Sequence, residues 1–245
     1  MIPTVLEWPS PNHDERGTAT IDMLVLHYTG MADAETALAR LTDPAAKVSA
    51  HYLIDEDGTL YRLVPEQRRA WHAGPASWRG HADVNARSIG IELVNPGHAF
   101  GYRAFPEPQM AALVALARGL CRRRAIPAGN VVGHSDVAPE RKEDPGELFD
   151  WARLAAAGVG LWPERRPVAG EMGLTLGPGD NGRPVGELQG ALAAIGYGLV
   201  VDGVYGPRTG AVVRAFQRHF RPSRLDGVAD PETAQLAFAV RALAG

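Results

Sequence analysis

The chain has one cysteine, Cys121, among 245 residues, so it can form no internal disulfide. It has no apolar run approaching the ~20 residues of a membrane span, and no membrane insertion is expected. Neither sign of charge dominates: 25 lysines and arginines stand against 28 aspartates and glutamates, a net charge of −3. Such a chain lacks the basic footprint that nucleic-acid binding requires. Its one basic run, Arg122–Arg124, closes a predicted helix, where cations offset the helix dipole. The opening stretch, MIPTVLEWPSPNHDERG, lacks the basic and apolar regions of a signal peptide, which points to the cytoplasm, with the cell envelope as the alternative. What is present in quantity is apolar side chain, 45% of the total, enough for a globular core.

MLVLHYTG, from Met23, reads as a buried strand that delivers His27 at its C-terminal end, before the turn residues Thr29 and Gly30. SAHYLIDEDGTLYRLV reads as two strands around a turn at Glu56-Asp57-Gly58. In SIGIELV, alternation puts Ile89, Ile91 and Leu93 on one face and Gly90 and Glu92 on the other. Met110, Leu113, Val114, Ala117, Leu120 and Cys121 recur at helical spacing, and Pro127 stops that pattern before a short strand at Val131-Val132. Strands alternating with helices predict an α/β domain over residues 1–163, a mixed β-sheet flanked by helices. Residues 164–180, rich in proline and glycine, read as a linker. Residues 181–245 predict a small all-α three-helix module. Within it DGVYGPRTGAVV and DGVADPETAQLA are two similar segments, each passing from an Asp-Gly turn to a proline at the first helical position.

The densest chemistry lies in GHSDVAPERKEDPG, where His134 precedes Asp144 by ten positions and Lys142 stands between them. Prolines at Pro139 and Pro145 forbid one continuous helix, so these groups sit on a loop. Two neutral imidazoles and a carboxylate can fill three of zinc's four positions and leave one for water. His27, His134 and Asp144 could supply such a set. Spacing alone does not select them, because there are eight histidines and no short-range pair such as His-Glu-x-x-His.

LHYTG, SAHYLI, WHAG, SIGIELVN and GHSDVAPERKEDPG, in that order, closely resemble the zinc-dependent N-acetylmuramoyl-L-alanine amidases of the peptidoglycan-recognition-protein superfamily, the AmpD/AmiD-like type-2 amidases. The likeness runs from about Met23 to Trp162, and the C-terminal segment is similar to a small peptidoglycan-binding module. The resemblance implies a peptidoglycan-recognition-protein-like fold and one Zn2+ held by His27, His134 and Asp144, with Glu92 and Lys142 as catalytic groups. It implies hydrolysis of the amide between N-acetylmuramoyl, including its 1,6-anhydro form, and L-alanine. The substrate would be a muropeptide or peptidoglycan. Trp71, His72, Trp78, Arg79, Asn85 and Arg87, lying between two site-forming strands, are candidates for the substrate groove. His51 reads as a packed histidine or a support to the metal shell.

Two functions compete with this one. Members of the superfamily with an incomplete metal site bind peptidoglycan without catalysis, and the full set of site residues argues against that here. A peptidase cutting within the stem peptide would use the same metal chemistry. In the cytoplasm the accessible substrate would be imported turnover fragments, so the expected role is muropeptide recycling; an exported wall-remodelling enzyme is the alternative. An appended module should then be dispensable for a small substrate, unless it packs against the catalytic domain as a prop.

Overall fold

A computed structural model describes residues 5–163 and 173–244. Part of the expected linker, residues 164–172, lies outside the described residues. The N-terminal part is built on a six-stranded mixed sheet. In chain order its strands are β1 (Val5–Glu7), β3 (Met23–Tyr28), β4 (Tyr52–Ile54), β5 (Leu60–Arg62), β7 (Ser88–Leu93) and β8 (Val131–Gly133), and across the sheet they run β1-β5-β4-β7-β3-β8. A separate two-stranded ribbon pairs β2 (His13–Glu15) with β6 (Arg68–Ala70). The hairpin predicted around Glu56-Asp57-Gly58 is the antiparallel β4–β5 pair, closed by Asp55 N–H to the Thr59 carbonyl at 2.9 Å.

The central strands β4, β7, β3 and β8 are parallel neighbours, so their C-terminal ends open on one edge. Such an edge is where open α/β sheets hold ligands. On one face Leu24 and Leu26 of β3 and Ile89, Ile91 and Leu93 of β7 pack against the long helix α4 (Glu107–Arg124) through Met110, Leu113, Ala117 and Leu120. The basic run that ends α4 is anchored by Glu66, which accepts from Arg124 Nη2 at 2.6 Å and Arg123 Nη2 at 3.2 Å. Shorter helices are α1 (Ala34–Thr42), α2 (Val84–Arg87), α3 (Gly97–Phe100), α5 (His134–Val137) and α6 (Trp151–Ala156). Cys121 is partly buried at the edge of the α4 core, and burial raises its thiol to about 11.

The C-terminal module holds α7 (Arg183–Ile195), α8 (Pro207–Phe220) and α9 (Pro231–Ala244). Its two similar segments are tied in the same way. Gln189 Nε2 donates to Asp202 Oδ1 and the Val204 carbonyl, and Gln217 Nε2 donates to Asp226 Oδ1 and the Val228 carbonyl. The N–H groups of Gly203 and Gly227 return to the two glutamine oxygens. Leu176, ahead of α7, pairs with Ala229 and joins the module's core.

The module does not hang free. Met23 and Val25, on the second face of β3, share one apolar cluster with Val132, Val137 and Trp78 and with Tyr197, Val212 and Phe216 of the module. That shared cover explains why MLVL is a continuous apolar run rather than an alternating one, since both of its faces are buried.

Candidate active site

His27 and Glu92 are register partners on the adjacent parallel strands β3 and β7, so their side chains rise side by side from the same face. Leu26 is likewise in register with Gly133 of β8, and the chain turns there into α5, which places His134 beside His27 at the open edge. Asp144 closes the set from the following loop, whose end is tied back by Ser135 N–H to the Asp144 carbonyl at 2.9 Å. All three are buried.

Their ligand atoms converge. His27 Nδ1 lies 3.0 Å from His134 Nδ1 and 2.9 Å from Asp144 Oδ2, and His134 Nδ1 lies 3.0 Å from the same oxygen. The outer partners determine which nitrogens carry protons. The Ser88 hydroxyl donates to the Val84 carbonyl at 2.7 Å, so its oxygen accepts from His72 Nε2–H at 3.0 Å. His72 Nδ1 then accepts from His27 Nε2–H at 3.0 Å, which leaves His27 Nδ1 a bare lone pair. His134 Nε2 faces the Ala73 carbonyl at 3.0 Å and must donate to it, so its Nδ1 is also bare.

Three acceptors therefore point at one spot with no proton to share, an arrangement that suits a cation. Ligand bonds of about 2.0–2.2 Å put neighbouring ligand atoms of a tetrahedral zinc site roughly 3.3–3.6 Å apart. The 2.9–3.0 Å spacings here fit that size with slight compression. Among the described residues this is the cluster of histidine and carboxylate able to hold a metal ion.

Charge follows burial. Burial, followed by the neighbouring His134, lowers His27 to about 4, so its imidazole is neutral and free to ligate at neutral pH. Burial also holds His72 well below the usual histidine range, with His27 beside it adding to the shift. For Asp144 burial alone acts upward, but His134 and His27 outweigh it and keep the carboxyl well below the usual range. Glu92 moves the other way: burial first, then the charge of Asp144, raise it well above an ordinary glutamate, with Lys142 opposing. Its buried Oε2 has no hydrogen-bond partner among the described residues.

The site opens into a cleft of about 400 Å³ lined by His27, His134, Asp144, Glu92, Lys142, Trp71 and His72. Among the described residues the Lys142 ammonium has no ion-pair or hydrogen-bond partner. Sequence reading missed Tyr28, Arg40, Ser49 and Arg141, which also line the cleft. Arg141 ties the loop to the WHAG segment by donating to the carbonyls of Ala73 and Pro75.

The other four groove candidates lie elsewhere. Asn85 Oδ1 accepts from the backbone N–H groups of His72 and Ala73 at 3.2 and 2.8 Å, holding WHAG in place from behind. Arg87 pairs with Asp22. Trp78 is 2% exposed, with its ring edge-on to Tyr197 of the module at 5.1 Å. Arg79 N–H donates to the Gly196 carbonyl at 2.8 Å, also in the module. His51 packs behind the site, where its Nδ1 accepts from Gly90 N–H at 3.0 Å. A Cβ on Gly90 would stand 2.5 Å from the His72 ring, so the strand needs glycine there for the imidazole to reach His27.

Residues 17–147 match the N-acetylmuramoyl-L-alanine amidase family and residues 181–236 match a peptidoglycan binding domain. The chain is 42% identical to the N-acetylmuramoyl-L-alanine amidase AmiD of Escherichia coli over 90% of its own length and 82% of that protein's. A solved structure of AmiD superimposes with a TM-score of 0.78, covering 91% of this chain and 90% of that one. AmpDh3 of Pseudomonas aeruginosa, at 32% identity, superimposes with a TM-score of 0.75 over 94% of this chain and 93% of its own. The 1,6-anhydro-N-acetylmuramyl-L-alanine amidase AmpD of Citrobacter freundii is 37% identical over 60% of this chain and 87% of its own. His27, Glu92, His134, Lys142 and Asp144 all lie within residues 17–147, and the chain belongs to the N-acetylmuramoyl-L-alanine amidase family.

Proposed function

We propose that this amidase holds one zinc ion on His27, His134 and Asp144 and cleaves the bond between N-acetylmuramoyl, including its 1,6-anhydro form, and L-alanine. The observation that carries the reading is the meeting of three buried bare acceptors with the unpartnered Glu92 carboxylate at the end of one cleft. AmiD has been solved in complex with the substrate anhydro-N-acetylmuramic acid-L-Ala-D-γ-Glu-L-Lys and AmpDh3 in complex with an anhydromuramic pentapeptide, which supports the same substrate class here.

Zinc held by His27, His134 and Asp144 would supply Lewis acidity to the scissile carbonyl and would lower the pKa of water there from about 16 towards 7. The chain's own residues do the rest. Glu92, on a rigid strand next to His27, accepts the proton of the attacking water and passes it to the leaving amine nitrogen. Burial, which raises its pKa well above an ordinary glutamate, makes it a stronger proton acceptor than an exposed carboxylate. Lys142, uncommitted at the cleft wall, stabilises the oxyanion of the tetrahedral intermediate, a contribution of about 3–4 kcal/mol in comparable sites. Trp71 offers an aromatic face to the sugar.

The role we assign is recycling of soluble muropeptides in the cytoplasm. The peptidoglycan binding module at residues 181–236 favours a second reading, in which the enzyme works on polymer at the cell envelope. Turnover of defined muropeptides with and without the anhydro ring, set beside turnover of intact sacculi, tests the assignment. Recycling predicts that soluble anhydro fragments are cleaved far faster; preference for sacculi would transfer the enzyme to the envelope.

A further inference from the structure

Asp136 stands two residues past His134 and is 1% exposed, a carboxylate withdrawn from water at the root of the ligand-bearing turn. Three donors meet it. The Gly133 N–H donates to Oδ2 at 2.8 Å, the Tyr197 hydroxyl to Oδ1 at 2.7 Å, and His219 Nδ1–H to Oδ2 at 2.8 Å. Only the first belongs to the catalytic domain. A buried carboxylate needs hydrogen bonds to offset its lost hydration, so the shape of the Gly133–Asp136 turn that presents His134 depends on two side chains from the module. His219 is itself held in place, stacked on Trp151 of α6 at 3.7 Å and on Phe220 at 3.9 Å between ring centroids.

The same helix reaches the loop that carries Lys142 and Asp144. Arg208 pairs with Glu140 at 2.6 Å and Arg218 with Glu143 at 3.3 Å, one pair on each side of Lys142 in sequence. Ion pairs involving exposed carboxylates contribute little individually, so the weight rests on the buried contacts to Asp136.

We propose that the C-terminal module is a positioning element of the catalytic site: through Asp136, Tyr197 and His219 fix the turn that presents His134 to the metal. The proposal rests on the zinc reading above and gives the module a role independent of any hold on polymer. It also accounts for a three-helix module sharing one apolar cluster with the sheet.

The test uses the full chain carrying Tyr197→Phe or His219→Leu. Zinc affinity is measured by chelator competition, and kcat and KM are measured on a soluble anhydromuramoyl peptide. Tyr197 and His219 act on His134 at one remove, through Asp136, so about a tenfold loss of zinc affinity is expected for each variant, the lower end of what direct partners of metal ligands govern, with kcat falling and KM little changed. His219→Asn, whose amide keeps a donor near the position of Nδ1, should recover most of the loss. Val240→Ala, in the core of α9 and not a partner of Asp136, serves as the stability control. Unchanged zinc affinity in Tyr197→Phe and His219→Leu, or the same loss in Val240→Ala at an equal fall in Tm, overturns the proposal. A wild-type chain that binds no zinc would overturn the metal reading itself, and the proposal with it.

Discussion

His27 and His72 meet Nε2 to Nδ1 at 3.0 Å, and that contact decides which nitrogen of His27 is left bare for a metal. His72 is positioned in turn by Ser88 at its far nitrogen and by Gly90 beneath its ring. His72→Phe should therefore weaken zinc binding by about 10–100-fold, and Ser88→Ala by less, although neither residue is a ligand. Calorimetric titration of the metal-free variants checks this; wild-type affinity in His72→Phe would mean that His27 holds its tautomer without help.

Glu92→Gln preserves the shape of the side chain and leaves the three ligands untouched, but an amide cannot accept the proton of the attacking water. The variant should keep its zinc and lose about 10²–10⁴-fold in kcat. Metal analysis and kinetics on the same preparation separate the two effects. Near-wild-type kcat would require another proton carrier.

Trp78 looked like a groove residue in the sequence but fills the contact with Tyr197 and Gly196. Trp78→Ala should lower stability by about 3–5 kcal/mol, as expected for emptying a large buried ring. Its KM should stay near wild type. A large rise in KM with unchanged Tm would return Trp78 to the groove.

Three buried histidines tie stability to pH in the metal-free protein. Burial lowers His51 to about 3 and His27 to about 4, and holds His72 well down, so all three fold as neutral groups. In the unfolded chain they titrate near 6.5. Below that pH the unfolded state binds more protons, so the stability they contribute is fully present above about 6.5 and is lost as pH falls towards their folded values. Each should add a slope of up to about 1.4 kcal/mol per pH unit. Urea midpoints of the metal-free protein between pH 7 and 5 measure it, and a midpoint that stayed flat or rose on acidification would contradict the burial of these rings in neutral form.

Much of this was legible in the sequence because its signals are local. The run ending at His27, the turn at Asp57-Gly58 and the alternation through Glu92 each depend on a few neighbouring residues, and the structure has a strand or hairpin at every one. The groove assignment was less legible. Asn85 and Trp78 lie between two site-forming strands in sequence, but what each touches depends on chain far away. The link between module and site was hidden for the same reason: Tyr197 and His219 reach Asp136 across 61 and 83 positions. No periodicity or motif records a pairing at that separation. The glutamine ties of the module were missed as well, because Gln189 and Gln217 lie outside the Asp-Gly segments that carry the visible repeat.

The central claim, zinc-dependent hydrolysis of the muramoyl–alanine amide, is tested most directly by mass spectrometry of the products formed from one defined anhydromuramoyl peptide. The digestion is run with the enzyme as purified, after chelation, and after zinc is restored. The account predicts free anhydro-N-acetylmuramic acid and an intact peptide beginning with L-alanine, no product after chelation, and recovery with zinc except in His27→Ala, His134→Ala and Asp144→Ala. Cleavage within the stem peptide, or undiminished turnover in the metal-stripped enzyme, would contradict it.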